Sequence, residues 1–195
     1  MKLKEPVTLI KNKENGSLQP DYLIENNDLT VYDNASIILS NHDRLELYTG
    51  TNCDIEIISC RDITIYCNSK CNILVRDQCD IEIFSDDHCK IVFCGNLASG
   101  GRIVCGDNCH IICWSNVEIE AGSNCTIDCD ADCNIECRDN CSIKGNNPKY
   151  SFSVCCLDDC SIICNKWSKV DARYNCNITR IDDNGMPVKE PPNCS

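Results

Sequence analysis

The sequence predicts an all-β chain: a parallel β-helix, or β-solenoid, made of strand–turn units of 8–10 residues. Three observations carry this expectation. A unit of the form x-x-x-C-x-I-x-(C/I) recurs, with its landmark at Ile37, Leu45, Ile55, Ile63, Ile73, Ile81, Ile91, Ile103, Ile111, Ile119, Ile127, Ile135 and Ile143. Within the unit, polarity alternates with period two, as in C-T-I-D-C and C-N-I-E-C, which marks a strand with one buried face. The residues between units, such as "DAD", "RDN", "GSN" and "NSK", are turn formers. A helix is excluded, because positions 0, +2 and +4 do not share a helical face. A hairpin sandwich need not repeat its sequence, whereas a solenoid gives every unit the same environment.

Residues 1–34 lack the unit, contain Pro6 and Pro20, and read as an N-terminal cap or arm. Residues 35–165 read as the cysteine-rich solenoid, with weaker copies of the landmark at Phe152 and Ile162 and a last one at Ile178. Up to Phe93 the turns alternate between three and five residues, which favours two strands per coil of about 18 residues. From Ile103 to Ile143 every landmark spacing is 8, and there a three-strand coil is the alternative. With its period of 24, Cys105, Cys109 and Cys113 would stack on Cys129, Cys133 and Cys137, and Ala121 on Gly145. Coils would stack ~4.8 Å apart, and strand twist and crossover handedness favour a right-handed path. "GNLASGG", residues 95–101, is the longest turn and reads as a flexible loop. Residues 166–195, with Trp167, Tyr174, Gly185, Pro187, Pro191 and Pro192, break the pattern and read as a C-terminal cap or tail that blocks growth at the sheet edge.

A chain of 195 residues is long enough for one domain with a real core. Its net charge of −12 argues against a nucleic-acid-binding surface and against anionic membranes. No stretch approaches the ~20 apolar residues of a membrane span. The opening "MKLKEPVTLIKNKENG" has charges but no apolar h-region, so the chain is expected to be made in the cytosol.

Cysteine occurs 21 times, an odd number, so at least one sulfur stands outside any intramolecular pair. The inward cysteines have two readings. As thiols they are small buried hydrophobes beside Ile. As a disulfide ladder they would pair across turns: Cys67 with Cys71, Cys105 with Cys109, Cys129 with Cys133, and Cys137 with Cys141. Cys125 and Cys129 end one strand ~13 Å apart and cannot bond. There is no C-x-x-C, and the only imidazoles are His42, His88 and His110, so neither a dedicated metal site nor a cofactor is expected.

No catalytic constellation emerges. Asp86–Asp87, Asp158–Asp159 and Asp182–Asp183 read as solvated turns, and there is no glycine-rich phosphate loop and no nucleophile elbow. Outward acids such as Asp54, Glu56, Glu82, Glu118 and Glu120 would form partly acidic ladders. Trp114, Trp167 and Tyr66 are scattered candidates for stacking on sugars. Ile38, Leu74, Val92 and Ile112 fall outward on one face and read as a lateral interface with a protein partner or a second copy.

The stretch "GSNCTIDCDADCNIECRDNCSIKG", residues 122–145, resembles the sNN-x-V-x-V repeats of parallel β-helix domains on microbial and viral surfaces, with Cys in place of the second Asn. The resemblance spans about two-thirds of the chain and implies fold far more than function. The abundance of Asn and Ile and the cysteine load also resemble proteins of large AT-rich DNA viruses, which implies a virion setting. The expected function is that of a non-enzymatic structural or interaction protein, a virion or surface component. The alternatives are a carbohydrate-active β-helix enzyme or carbohydrate-binding protein, and a thiol- or metal-binding protein.

Overall fold

The structure, a computed structural model, describes residues 8–12, 22–25, 28–41, 43–77, 79–94, 100–114, 116–130, 132–145, 147 and 149–188. His42, residues 95–99 of the glycine-rich loop, Pro191, Pro192 and Cys194 lie outside them.

The described residues contain strands and turns and no helix. In chain order the strands are β1 (Thr8–Asn12), β2 (Tyr22–Glu25), β3 (Asp28–Val31), β4 (Ala35–Ser40), β5 (Asp43–Thr49), β6 (Asp54–Ile58) and β7 (Arg61–Cys67). There follow β8 (Asn72–Arg76), β9 (Ile81–Ser85), β10 (Lys90–Phe93), β11 (Gly101–Cys105), β12 (His110–Cys113), β13 (Val117–Ala121) and β14 (Thr126–Cys129). The last six are β15 (Asn134–Cys137), β16 (Ser142–Gly145), β17 (Ser153–Cys156), β18 (Ser161–Asn165), β19 (Lys169–Ala172) and β20 (Asn177–Ile181).

From β3 onward, strands alternate between two sheets. The first sheet has the order β1-β4-β6-β8-β10-β12-β14-β16-β18-β20, and the second β19-β17-β15-β13-β11-β9-β7-β5-β3-β2. The chain is therefore a parallel β-solenoid of about eight turns with two strands per coil. Isoleucine stacks on isoleucine along its interior: Ile37, Ile55, Ile73, Ile91, Ile111, Ile127, Ile143, Ile162 and Ile178 are successive partners in the first sheet. The second sheet contributes Leu47, Ile65, Ile83, Ile103, Ile119, Ile135, Val154 and Val170. All of these except Val170 and Ile178 are buried, which makes one continuous apolar core between the sheets.

The three-strand alternative for residues 103–143 is not what forms. Cys105 pairs with Ala121 and Cys113 with Cys129, so the coil there is 16 residues and Gly145 lies on Cys129. With all spacings equal, the two edges become indistinguishable in sequence. The stacking set by the earlier coils, whose edges differ, carries through and decides the register.

The parallel ladder runs wider than the repeat pattern, from β3 to β20. Strands β1 and β2 pair antiparallel with β4 and β3 and cover one end of both sheets. At the other end the chain reverses through Asp182–Met186. Val188 N–H then donates to Arg180 O at 2.8 Å, beside an antiparallel bridge between Ile181 and Pro187.

Candidate functional site

The most regular chemistry lies at one edge, where a three-residue turn leads from each second-sheet strand into the next first-sheet strand. The third turn residue is left-handed in every coil: Asn34, Asn52, Lys70, His88, Asn108, Asn124, Asn140, Asp159 and Asn175, with φ between 56 and 65°. Asn and Asp tolerate that conformation best after Gly, which is why they dominate the turn. Its N–H donates to the second turn residue of the next coil, as from Asn108 to Ser123 O and from Asn124 to Asp139 O, both 2.9 Å.

The residue after this turn is Ala35 in the first coil and cysteine in all that follow: Cys53, Cys71, Cys89, Cys109, Cys125, Cys141, Cys160 and Cys176. Each thiol donates to the carbonyl of the first turn residue one coil back, namely Tyr32, Gly50, Asn68, Asp86, Gly106, Gly122, Arg138 and Leu157, at 3.0–3.4 Å. The sulfur in turn accepts a backbone N–H, as from Cys53 to Cys71 Sγ and from Cys109 to Cys125 Sγ, both 3.4 Å. Each such bond ties the turn of one coil to the cysteine of the next, so the thiol is a structural part of the turn. The sequence by itself points to small apolar packing, bridges or metal binding at these cysteines, and the donor role follows only from the stacking of coils.

The disulfide ladder is corrected accordingly. All twenty described cysteines are thiols. Cys67 and Cys71, Cys105 and Cys109, and Cys137 and Cys141 flank the tight turn, and all six are buried. A bridge across any of them would consume the proton that the turn carbonyl needs. Cys129 and Cys133 lie at the opposite edge, where Cys133 Sγ meets Cys113 Sγ at 3.5 Å. Contact with Cys133, followed by burial, pushes the Cys113 thiol well above its ordinary pKa, and burial pushes Cys79 up as well.

Outward residues form straight columns. On the first sheet Ile38, Glu56, Leu74, Val92, Ile112, Asp128, Lys144, Ile163 and Thr179 are successive partners. Ile38, Leu74, Val92 and Ile112 therefore share one line, half-buried, and a shallow groove runs along Ile38, Glu56, Leu74, Lys90 and Val92. On the second sheet Tyr48, Tyr66 and Phe84 stack ring on ring, with centroids 4.9 and 5.2 Å apart. Arg102 lies 6.0 Å from the Phe84 centroid and binds Glu120 at 2.6 Å. Both faces of Tyr66 are covered, so it offers a sugar only its edge. Trp114 and Trp167 are exposed elsewhere, and Lys166 Nζ sits 5.0 Å from the Trp167 ring centroid.

The outward acids are interleaved with bases and amides. Arg76 binds Glu56 at 2.7 Å, His110 lies 3.7 Å from Asp128, and Asn72 donates to Asp54 at 2.8 Å. No helix among the described residues is long and apolar enough to cross a membrane. Among known proteins, no family model, curated protein or solved structure matches the chain.

Proposed function

We propose that the chain is a non-enzymatic structural or interaction protein that associates with a second copy of itself through the outer face of the first sheet. The observation that carries this is the self-complementarity of the column from Ile38 to Ile163. Consider a two-fold axis lying in the interface, along the strands and between the Val92 and Ile112 rungs. It brings Val92 onto Ile112, Glu56 onto Lys144 and Ile38 onto Ile163, and only Leu74 opposite Asp128 is unmatched. Apolar contact and an ion pair thus follow from one operator, as an isologous interface requires. Strands covering the ladder's N-terminal end disfavour end-to-end growth there and leave the faces for association.

Sedimentation velocity across a concentration series tests this reading. A concentration-dependent dimer is expected. Leu74→Glu with Val92→Glu should give a monomer with an unchanged far-UV spectrum. Glu56→Lys should weaken the dimer, and Glu56→Lys with Lys144→Glu should restore it. A wild-type chain that stays monomeric at every concentration overturns the reading, as does a dimer indifferent to the Leu74 and Val92 changes.

A further inference from the structure

Two columns of side chains meet at the tight edge. One is the cysteine after the turn. The other is the last residue of each second-sheet strand from β3 on: Val31, Thr49, Cys67, Ser85, Cys105, Ala121, Cys137, Cys156 and Ala172. In this second column Cys67, Cys105 and Cys137 are separated by Ser85 and Ala121. Only Cys137 and Cys156 are cysteines in successive coils.

At that place the thiols crowd. Cys137, Cys141 and Cys160 bring three sulfurs within 4.8 Å of one another, and so do Cys156, Cys160 and Cys176. Cys156 Sγ and Cys176 Sγ are 3.9 Å apart. Cys160 belongs to both groups. The first group is fully buried, and the second reaches the surface through Cys176. Among the described residues, no carboxylate or imidazole completes either group as a fourth ligand.

We infer that these five cysteines form a soft-metal site with two three-sulfur positions sharing the Cys160 sulfur, suited to Cu(I). Thiolate is the ligand that selects Cu(I). Structural zinc closes its sphere with four protein ligands, which neither group supplies. Filling both positions joins two Cu(I) ions to five sulfurs and releases five thiol protons to solvent, with no change of oxidation state. The protonated thiols now donate to carbonyls of the turn residues, as Cys160 does to Arg138 O at 3.2 Å and Cys176 to Leu157 O at 3.0 Å. Copper would replace those bonds and tie three consecutive coils together. The backbone holds the two groups together, with the Arg173 backbone N–H donating to Cys156 O at 3.3 Å. Entry is through the half-exposed Cys176, so the outer position fills first.

The test is anaerobic titration of the reduced full-length chain with Cu(I), against a chelator strong enough to strip isolated thiols. Bound copper is counted by elemental analysis, and sulfur coordination is read by X-ray absorption. The expected result is two retained copper ions per chain, each with three sulfurs. Cys176→Ser should retain one and Cys160→Ser none, while Cys94→Ser with Cys155→Ser, which changes two exposed thiols elsewhere, should retain both. Far-UV spectra of the copper-free variants establish that each one folds. The inference is overturned if Cys160→Ser folds and retains as much copper as wild type. It is also overturned if the Cys94 and Cys155 changes remove copper equally, or if each copper has two sulfurs.

Discussion

Asp107 Oδ1 accepts the Ser123 N–H at 2.7 Å and occupies the space that a β-carbon on Gly122 would need. The same arrangement recurs where Asp33 accepts from Thr51 at 2.6 Å over Gly50, and where Asp87 accepts from Asp107 at 2.7 Å over Gly106. Where Leu157 or Arg173 stands in place of the glycine, the corresponding bonds, Asp139 to Asp158 and Asp158 to Tyr174, lengthen to 3.1 Å. Glycine thus lets the carboxylate of one coil settle on the turn of the next. Gly122→Ala should destabilise the chain by about 1–3 kcal/mol through overpacking. Asp107→Ala added to it should cost less than the sum of the two single changes. Urea unfolding of the four proteins checks this, and strict additivity would mean that Asp107 and Gly122 are not coupled.

The thiol–carbonyl bonds require protonated, unbridged cysteines. Alkylation of the native protein without reductant should therefore label the exposed Cys94 and Cys155 among the described cysteines, with Cys176 slower and the rest protected. Alkylation in denaturant, again without reductant, should label all twenty described cysteines. Mass spectrometry of peptides reads both. Cysteines that resist alkylation in denaturant would show bridges and contradict the donor role.

Much of the architecture is legible in the sequence because a solenoid writes the same local rule many times. The alternation around Ile55, Ile73 and Ile91 marks strands, and unequal turns mark two strands per coil. What escaped reading depends on neighbours one coil away. That Cys89 donates to Asn68 O, or that Gly106 makes room for Asp87, follows only once the stacking register is known. Between Ile103 and Ile143 equal spacings remove the cue that separates a 16-residue coil from a 24-residue one. The outward column of Ile38, Leu74, Val92 and Ile112 was visible because it needs only the period of the early coils. The crowding at Cys160 was not, since it depends on Cys137 and Cys156 becoming stacked neighbours across an irregular turn.

The stability that Cys79 and Cys113 contribute should be lost in alkaline solution. Cys113 and Cys79 have folded pKa values raised above the ordinary thiol value of 9.0, Cys113 by contact with Cys133 and by burial, Cys79 by burial. The folded state thus holds these protons more tightly than the unfolded chain does. Their contribution is complete below pH 9 and is lost as pH rises from there toward the folded values. Denaturant midpoints measured from pH 7 to pH 11 should be flat at first and then decline. Cys79→Ala with Cys113→Ala should flatten the decline, and an unchanged decline in that variant would assign it to other groups.

Lys70 occupies the left-handed turn position with φ of 65°, where seven of the nine coils have Asn or Asp and only His88 is the other exception. A left-handed residue costs a long side chain ~1–2 kcal/mol, and Asn recovers part of this by local hydrogen bonding. One coil back, Asn52 Nδ2 donates to Asn34 Oδ1 at 2.7 Å, so an amide at position 70 would extend an existing side-chain ladder. Lys70→Asn should therefore stabilise the protein by about 0.5–1 kcal/mol, seen as a rise in Tm of about 1–4 °C for a chain of this size. Asn140→Lys, at the same position four coils further on, should lower Tm by a similar amount. Opposite shifts from this pair would tie the effect to the backbone conformation. A fall in Tm for Lys70→Asn would show that the lysine makes a compensating contribution to the turn.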